Sequence, residues 1–390
     1  MVQNKNLKKK LKNLSVVITT HVYATGPAFF LEDYLAPKVK RLLFIGLPFS
    51  YAKDKSPSLR YWEKGKLIEE KKLDFYQMPE IITYTRDFLL VMWWVIKKGK
   101  FDLFIGADNL NALSGIILKK IGRLNKVIFY AIDFVPNRFN NPVLNKIYHR
   151  VEKFAVYKSD SVWNLSDVMR KEREKRGYDK KYSKKQIIVP IGTEPIERLS
   201  KLTEKQYDTI TFMGHLREGQ GTQFLIEVFS KALKRNPKFL LQIIGGGILE
   251  KSLRTKVNNL KIGANVLFQG FVKDFKAVKR FLSESGLAVA PYEDEESSFT
   301  KYTDPGKVKD YLSQGLPIII TKIPQVAFEV DRRKAGLAVG FNQLQFVDAI
   351  LKITKTRKTQ DEYRRNSLKM AKEYTWERIF DKALDQTLNS

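Results

Sequence analysis

The chain has 390 residues, of which 43% are hydrophobic and 29% are charged, and it contains no cysteine. This length is sufficient for two domains with separate cores, and the composition is that of a globular protein rather than a disordered one. The lack of cysteine excludes disulfides and thiolate chemistry, and the three separated histidines, His21, His149 and His215, do not suggest a zinc site.

The formal net charge is +28 and is distributed unevenly. Residues 1–195 hold 37 basic and 19 acidic side chains, whereas residues 196–390 hold 33 and 23. A basic surface of this size is expected to attract polyanions, either nucleic acid or an anionic membrane face. A solvated lysine-rich surface without a partner is the alternative.

Neither a membrane span nor a signal peptide is expected from the sequence. No apolar run reaches the roughly 18 residues of a membrane span, and the longest, Phe88–Ile96, is typical of a buried helix. The basic segment Met1–Asn13 has neither an apolar signal-peptide core nor a cleavage site. We therefore expect a cytoplasmic protein, peripheral on the inner membrane face if the basic surface binds lipid.

Short apolar runs in the first half predict strands of a parallel sheet that is buried on both faces. They are Leu14–Thr20, Leu42–Ile45, Leu103–Gly106, Val127–Ile132, Ser161–Leu165 and Ile187–Ile191. The intervening segments are long enough for crossover helices, such as Thr83–Lys98 and Asn145–Lys158.

Two acidic residues follow predicted strands of this half. Asp108 and Asp133 come at carboxyl ends, where an open α/β sheet places its ligand-facing groups. Acids in loops are also common turn formers and helix caps, so both interpretations stay open. After the first strand, Gly26 and Pro27 precede a helix, and the glycine would allow a ligand to approach closely.

The second half repeats this pattern. Its predicted strands are Thr209–Met213, Phe239–Ile244, Val266–Gly270, Gly286–Pro291, Pro317–Ile320 and Leu337–Val339. The first two lead into glycine-rich turns that open helices at the same edge of the sheet. Neither turn matches the dinucleotide fingerprint or the phosphate loop ending in Gly-Lys-Ser/Thr.

Domain boundaries follow from this repetition and from a connection rich in proline, glycine and mixed charges around Thr193. We expect an N-terminal domain over residues 1–193, a C-terminal domain over 194–372, and a terminal helix over 373–390 that packs across the domains. A long helical pattern covers Asp361–Leu388, with Trp376 and Phe380 as apolar anchors.

The segment 286–321 is a strand-loop-helix-strand unit. An amphipathic helix is predicted over Lys307–Gln314, and Gly315 and Pro317 end it. The N–H groups at its start suit a phosphate, and Lys307 adds a cation. An ordinary loop-helix junction with Asp304 as the N-cap is the alternative.

The order of these motifs resembles a GT-B glycosyltransferase of the large retaining family 4, also called glycosyl transferases group 1. The resemblance covers nearly the whole chain and is strongest over residues 209–321. GHLREGQGTQFLIEVF and IIGGGILEKSL resemble the first two loop-helix junctions of the C-terminal domain, and DYLSQGLPIIIT resembles the family's Glu-x-x-x-x-Gly-x-Pro helix end. The implied fold is α/β, with two Rossmann-like, doubly wound parallel-sheet domains facing each other across a cleft.

The resemblance also implies roles for individual residues. Asp310 would accept hydrogen bonds from the ribose of a nucleotide sugar, and Asp133 would be the polar catalytic group near the transferred sugar. Asp108 is a candidate on the acceptor side, and no metal is implied. The other implied donor-site residues are Gly26, Pro27, Gly214, His215, Arg217, Gln220, Gly246, Phe271, Val272, Asp304, Pro305, Gly306 and Lys307.

Three positions depart from the family pattern. Tyr302 occupies the position of the first of two acids, and Asp304 or Glu296 is available to substitute for it. His215 and Gln220 stand where the family usually has Arg and Lys. Arg217 and Lys307 are then the cations available to stabilise a leaving diphosphate.

These observations predict a retaining glycosyltransferase that moves a sugar from a nucleotide-diphosphate sugar to an acceptor hydroxyl. No cofactor is implied, and a UDP-sugar is favoured over a GDP-sugar. The acceptor would be a glycan or a lipid-linked sugar, in glycan, polysaccharide or glycolipid synthesis. The alternatives are a catalytically degenerate protein that binds a nucleotide or sugar, and a basic nucleic-acid-binding protein, for which there is no recognisable motif.

Overall fold

The structure is a computed structural model that describes residues 2–22, 26–49, 52, 54–76, 78–294 and 299–389. The chain divides into two compact units. The N-terminal unit comprises Met1–Pro190 together with Trp376–Ser390, and the C-terminal unit comprises Ile191–Thr375.

The N-terminal unit is an α/β unit built on one sheet. Its strands are β1 (Ser15–Val22), β2 (Arg41–Pro48), β3 (Ser58–Glu63), β4 (Lys66–Lys72), β5 (Phe101–Ala107), β6 (Leu124–Ala131), β7 (Ser161–Asn164) and β8 (Gln186–Ile188). Its helices before the crossing to the other unit are α1 (Val2–Asn13), α2 (Pro27–Leu35), α3 (Glu80–Lys98), α4 (Asn109–Lys120), α5 (Pro142–Lys158) and α6 (Asp167–Lys175).

The strand order of this sheet is β4-β3-β2-β1-β5-β6-β7-β8. β1 pairs in parallel with both β2 and β5, so the chain leaves β1 towards one edge and later returns to build the other. Right-handed crossovers in opposite directions place helices on both faces, as in a doubly wound sheet. The strand order therefore reverses between β1 and β5.

The parallel strands expected from the apolar runs are all present, but the hairpin of β3 and β4 was not predicted. These strands pair antiparallel at one edge of the sheet. Lys64 and Gly65 form the turn, with φ of 46° and 80°, the left-handed values that a two-residue hairpin turn requires. The parallel sheet expected for this half is therefore present, with an antiparallel hairpin added at its edge.

The C-terminal unit has a smaller sheet. Its strands are β9 (Thr209–Met213), β10 (Leu240–Ile244), β11 (Val266–Gly270), β12 (Leu287–Ala290), β13 (Ile318–Thr321) and β14 (Gly336–Val339). Its helices are α7 (Glu204–Tyr207), α8 (Thr222–Arg235), α9 (Glu250–Asn259), α10 (Phe275–Ser283), α11 (Gly306–Ser313), α12 (Val326–Arg332), α13 (Gln343–Ile353) and α14 (Arg357–Ala371).

This sheet is parallel, with the order β11-β10-β9-β12-β13-β14, and it has a core on each face. Alternate residues of β12 point to opposite faces, because side chains alternate along a strand. Leu287 and Val289 join the core under α8 and α13, whereas Ala288 and Ala290 join the core under α11 and α12. The strand order reverses between β9 and β12, so a ligand crevice is expected at their carboxyl ends.

The last helix, α15 (Trp376–Asn389), is part of the N-terminal unit. The Trp376 ring stacks on Phe30 with 4.4 Å between centroids, and Trp163 Nε1 donates a 2.9 Å hydrogen bond to the Thr387 hydroxyl. The segment Asp361–Leu388, in which a long helical pattern was expected, contains the end of α14 at Ala371 and α15 from Trp376.

Among the described helices, none is both long enough and apolar enough to cross a bilayer.

Candidate functional site

The main candidate site lies at the strand-order reversal of the C-terminal unit. The loop after β9 runs from Gly214 to Gly221, and the carboxyl end of β12 leads into Pro291. Gly221 has φ of 67°, and a Cβ atom there would lie 1.7 Å from the Pro291 carbonyl oxygen. Only glycine permits this close approach of the two backbones.

Three neighbouring loops are joined to each other through their backbones. Gly214 N donates to Ile244 O at 2.9 Å, Leu216 N donates to Gly246 O at 3.1 Å, and Gly245 N donates to Gly270 O at 2.9 Å. A Cβ atom on Gly245 would lie 1.9 Å from the Gly214 carbonyl oxygen. The predicted glycine turns therefore form one connected rim over the ends of β9, β10 and β11.

Lys307 is the cation of this site. It lies in the first turn of α11, and its Nζ donates a 2.7 Å hydrogen bond to Gln220 Oε1. The same Nζ lies 4.5 Å from the centroid of the Phe212 ring, and it would be 2.6 Å from a Cβ atom on Gly214. The absence of a side chain at Gly214 thus makes room for the ammonium group.

The electrostatic state of Lys307 follows from this packing. Burial lowers the pKa of the Lys307 ammonium to about 7, and the positive charge of Arg217 lowers it further. A lysine with this pKa is easily neutralised in the empty site, and an anion beside it would restore its charge. The surroundings of Lys307 are therefore suited to hold an anionic group.

Asp310 lies one turn further along α11 and is half-buried. Burial raises the pKa of its carboxyl to about 7, and the charge of Lys279 opposes this shift only in part. Within the described residues, no side chain donates a hydrogen bond to this carboxyl group. It is thus available to accept hydrogen bonds from a ligand.

Asp304 is not available in this way. Its carboxylate accepts a 2.8 Å hydrogen bond from Ile191 N and lies 3.2 Å from the Lys309 ammonium, and both side chains are buried. Burial raises the pKa of the Asp304 carboxyl, and the Lys309 charge opposes that shift. Asp304 connects α11 to residue 191 of the same unit, while Pro305 is the N-cap of the helix.

Tyr311 fixes α11 against the strands. Its buried hydroxyl accepts a 2.7 Å hydrogen bond from Met213 N and lies 3.3 Å from the Val289 carbonyl oxygen. Met213 ends β9 and Val289 lies in β12, so the helix is held at the strand-order reversal. Lys307 is carried by this anchored helix.

The remaining predicted residues of this unit surround the rim. His215, Arg217 and Phe271 are exposed, and the Arg217 guanidinium lies 5.6 Å from the centroid of the Phe299 ring. A Cβ atom added to Gly246 would lie 3.4 Å from the Phe271 Cβ. Val272 is partly buried against the core. A Cβ atom on Gly306 would approach only Ile191, at 3.9 Å.

Sequence reasoning missed Tyr292. Its ring centroid lies 5.0 Å from the Lys307 ammonium, and among the described residues its buried hydroxyl has no hydrogen-bond partner. The signal was its position directly after Pro291, at the carboxyl end of a strand. Tyr302, at the position of the missing acid, is buried, and Glu296 lies outside the described residues.

The N-terminal unit has a second polar cluster at its own strand-order reversal. His21, near the end of β1, has its Nδ1 2.5 Å from the Asp108 carboxylate and its Nε2 3.5 Å from the Asp87 carboxylate. Burial alone would lower the pKa of His21, but the charge and hydrogen bond of Asp108, with those of Asp87, raise it to about 9. His21 is therefore a buried imidazolium at neutral pH.

Asp108 also has an unusual backbone. Its φ of 125° and ψ of 172° fall in a region that is almost restricted to glycine. Its carboxylate caps α4 by accepting 2.8 Å and 2.7 Å hydrogen bonds from the backbone and side chain of Asn111. The ion pair with His21 and the helix cap together hold this strained residue.

Asp133, Gly26 and Pro27 are the other predicted residues of the N-terminal unit. The Asp133 carboxylate accepts a 2.7 Å hydrogen bond from Arg138, whose guanidinium lies 5.2 Å from the Tyr148 ring centroid. Gly26 is the N-cap of α2 and Pro27 is its first residue. Among the described residues, a Cβ atom on Gly26 would have no neighbouring atom within 4 Å.

The C-terminal unit is similar to known glycosyltransferases. Residues 207–356 match the family described as glycosyl transferases group 1. This match covers 150 of the 390 residues, all of them in the C-terminal unit. A curated relative, described as an uncharacterized glycosyltransferase of Haemophilus influenzae, is 23% identical over 284 residues, which are 71% of this chain and 74% of that protein.

Solved structures extend the likeness beyond residues 207–356 to the whole fold. Sucrose-phosphate synthase from Thermosynechococcus elongatus has a TM-score of 0.69 at 14% identity, over 97% of this chain and 98% of that chain. Anabaena HepE in complex with UDP and glucose has a TM-score of 0.67 at 13% identity, over 97% and 100%. The pneumococcal O-GlcNAc transferase GtfA, with UDP and GlcNAc, has a TM-score of 0.63 at 11% identity, over 97% and 100%. The predicted GT-B architecture of two doubly wound units is thereby confirmed.

Proposed function

We propose that this protein is a retaining glycosyltransferase that moves a sugar from a nucleotide-diphosphate sugar to an acceptor hydroxyl. The observation that carries the proposal is the half-buried Lys307, placed on the first turn of α11 beside Gln220 and the loop of Gly214. A developing diphosphate needs positive charge and N–H donors at the atoms that receive its negative charge. Lys307, the start of α11 and the glycine rim provide both kinds of group.

The diphosphate would bind against Lys307 and the free N–H groups of the first turn of α11. Its charge would return the Lys307 pKa towards the ordinary range and replace the contact with Gln220. Arg217, whose charge already acts on Lys307, would be the second cation. Lys307 and Arg217 would take the roles of the Arg and Lys that the family usually has at the positions of His215 and Gln220.

Asp310 would accept hydrogen bonds from the ribose hydroxyls, as the resemblance to family 4 implies. Its free, half-buried carboxyl supports this role, because a desolvated carboxylate gains most from new donors. Phe271 is exposed and Val272 half-buried beside the rim. They end the segment NVLFQGFV, which resembles the family strand whose following backbone contacts the nucleotide base. The solved relatives that hold UDP favour uridine as that base.

The reaction would then require positioning and charge stabilisation rather than a covalent protein nucleophile. As the bond from the sugar to the diphosphate breaks, Lys307 and Arg217 would stabilise the negative charge on the leaving phosphate oxygens. Asp133 remains our candidate for the polar group near the transferred sugar, with Gly26 and Pro27 contributed by the same unit. Asp108 remains the candidate on the acceptor side, where it holds the His21 imidazolium.

The acceptor is proposed to be a glycan or a lipid-linked sugar. The solved relative WaaB is described as a lipopolysaccharide outer core galactosyltransferase, and it has a TM-score of 0.61 at 14% identity over 96% of this chain and 99% of its own. The basic first half favours an acceptor at an anionic membrane face, in the cytoplasm.

A catalytically degenerate binding protein is the second candidate. Tyr302 is buried where the family has its first acid, and Asp304 is committed to Lys309 and Ile191. The donor site would then bind a nucleotide without turnover. Any release of free nucleotide diphosphate from a donor sugar would eliminate this candidate.

The test is a thermal-shift screen against UDP, GDP, ADP and their common sugar conjugates, run on the wild type and on Asp310→Ala. A ligand that binds the native state raises the unfolding temperature by mass action. We expect UDP and one UDP-sugar to stabilise the wild type and the variant to lose this response. If no nucleotide stabilises the wild type, the donor-site assignment is wrong.

A further inference from the structure

Helix α3 of the N-terminal unit has two apolar faces instead of one. Its buried face contains Thr83, Asp87, Val91, Trp94 and Val95. A different set of large apolar side chains is exposed along the opposite side, and we call it the α3 face. It consists of Ile81, Ile82, Leu89, Trp93 and Ile96.

The spacing shows that the α3 face is continuous. Ile82, Leu89, Trp93 and Ile96 are separated by seven, four and three residues, which places them on one side of a helix. Leu89 is 59% exposed and Trp93 is 52% exposed. A groove of about 500 Å³ runs along the face beside Thr85 and Arg86. Apolar rows of this kind on a soluble surface mark an interaction site.

The charges at the C-terminal end of the α3 face are positive. Lys97 and Lys100 follow Ile96, whereas Lys98 is paired with Glu69 and the one acid at the other end of the face is Glu80, before Ile81. The Lys97 ammonium lies 5.0 Å from the Trp93 ring centroid, so cation and aromatic ring are presented together. Asp87 is not part of the face, because it is buried and paired with Arg86 at 2.6 Å.

We propose that the α3 face docks the protein onto an anionic lipid bilayer, with the helix lying in the plane of the interface. An interfacial helix of this type buries Leu, Ile and Trp side chains among the acyl chains and keeps its lysines at the phosphates. Half-exposed Trp93 suits the interfacial region, where one edge of an indole is apolar and its N–H is wet.

Charge complementarity favours a lipid bilayer over a second protein as the partner of the α3 face. The apolar row is bordered by lysines at its C-terminal end, and residues 1–195 as a whole hold 18 more basic than acidic side chains. An anionic bilayer offers a continuous negative plane over a hydrocarbon layer, and thus matches both features at once. This inference does not rest on the donor site of the C-terminal unit.

Vesicle flotation tests the proposal with the full chain. The wild type is mixed with vesicles of phosphatidylcholine alone or of phosphatidylcholine with phosphatidylglycerol, at low and at physiological salt. We expect flotation only with the phosphatidylglycerol vesicles. In Leu89→Ser/Trp93→Ser the vesicle affinity should fall about tenfold or more, because two apolar anchors are removed.

The controls separate docking from folding and from general stickiness. Ile248→Ser removes an apolar side chain that is 85% exposed in the C-terminal unit, and it should float as the wild type does. Both substituted α3 positions are exposed, so the double variant should keep the wild-type unfolding temperature. Lys97→Gln/Lys100→Gln should weaken binding and reduce its dependence on salt.

Several outcomes would overturn the proposal. They are no flotation of the wild type at low salt, equal flotation of the double variant, or equal binding to both kinds of vesicle. Light scattering adds another: a wild-type dimer that becomes a monomer in the double variant would assign the α3 face to a second copy of the chain. Nucleotide binding is measured on the same samples, so failure of the donor site would be seen separately.

Discussion

Lys307 donates a 2.7 Å hydrogen bond to Gln220, a residue 87 positions earlier in the chain. The contact joins the first turn of α11 to the loop after β9, across the point where the strand order of the sheet reverses. It leaves an ammonium group of lowered pKa beside backbone N–H groups.

Replacement of Lys307 by Met should weaken the binding of a nucleotide diphosphate. Loss of a charge-assisted hydrogen bond from a half-buried cation costs about 1.5 to 3 kcal/mol, or roughly ten- to 150-fold in Kd. Isothermal titration with UDP measures the change. Lys322→Met, at an exposed position, is the matched control and should bind as the wild type does. Equal affinities of the two variants would remove Lys307 from the donor site.

The affinity for a nucleotide-diphosphate sugar should be greatest near pH 7. Above the Lys307 pKa of about 7 the free protein loses the cation, so the affinity falls as the pH rises. Below the Asp310 pKa of about 7 the carboxylate is protonated and is a poorer acceptor for ribose hydroxyls, so the affinity falls as the pH decreases. On each side of the maximum, the affinity should change by up to tenfold per pH unit. The change should stop where the pH reaches the pKa of Lys307 or Asp310 in the complex.

Two variants identify the group responsible for each side of the pH profile. Lys307→Arg keeps its charge at all accessible pH values and should lose the alkaline limb. Asp310→Asn does not titrate and should lose the acidic limb. A sugar conjugate is used because its diphosphate carries no titratable proton near neutrality. A flat wild-type profile between about pH 6 and pH 8 would contradict the pKa values of both groups.

Asp304→Asn should destabilise the C-terminal unit. The substitution leaves the buried Lys309 ammonium without a counter-charge, which costs about 3 to 5 kcal/mol. Circular dichroism during urea unfolding measures the loss. The double variant Asp304→Asn/Lys309→Met removes both charges, keeps an acceptor for Ile191 N, and should regain much of the stability. A stable single variant that no longer binds nucleotide would instead make Asp304 a ligand group.

The stability of the N-terminal unit should depend on His21. Its folded pKa of about 9 lies above the ordinary value of 6.5, so its contribution is complete below pH 6.5 and is lost as the pH rises through 9. The shift corresponds to about 3 kcal/mol. All five tryptophans, Trp62, Trp93, Trp94, Trp163 and Trp376, lie in this unit, so their fluorescence follows its unfolding alone.

The control for this prediction is His21→Gln, whose stability should be lower at pH 6.5 and should lack the decline between pH 6.5 and pH 9. His149 is another histidine of the same unit. The hydrogen bond with Glu152 raises the pKa of His149, and burial opposes this rise. The same measurement on His149→Gln should retain most of the decline. A wild-type curve as flat as that of His21→Gln would mean that the imidazole is neutral.

Most of the sheet could be predicted from sequence because its strands are buried on both faces. Runs such as Phe101–Ala107 and Ile318–Thr321 have apolar residues at successive positions, and this pattern depends little on their neighbours. β4 (Lys66–Lys72) is different, since its residues are mostly exposed and it exists through pairing with β3. Only the Lys64–Gly65 turn indicated that hairpin locally.

The sequence located glycine-rich turns and a helix start, because backbone geometry at such positions restricts the residue type. The turn that contains Gly214 and the helix start at Lys307 were located in this way, whereas Gly221 was not named individually. The partners of individual side chains were not predictable, because they depend on contacts between distant segments. Asp304 pairs with Lys309 and Ile191 N, and Tyr292 lies beneath Lys307, and neither arrangement follows from local spacing.

The return of α15 to the N-terminal unit has a consequence for biosynthesis. A ribosome makes residues 1–190 before the C-terminal unit, but the helix that packs on Phe30 and Trp163 is made only after residues 191–375. The C-terminal unit, by contrast, is contiguous over 191–375 and can be completed while translation continues. The C-terminal unit is thus able to finish folding before the N-terminal unit. Until α15 is made, the apolar surface that it covers stays exposed, and we expect chaperones to bind there.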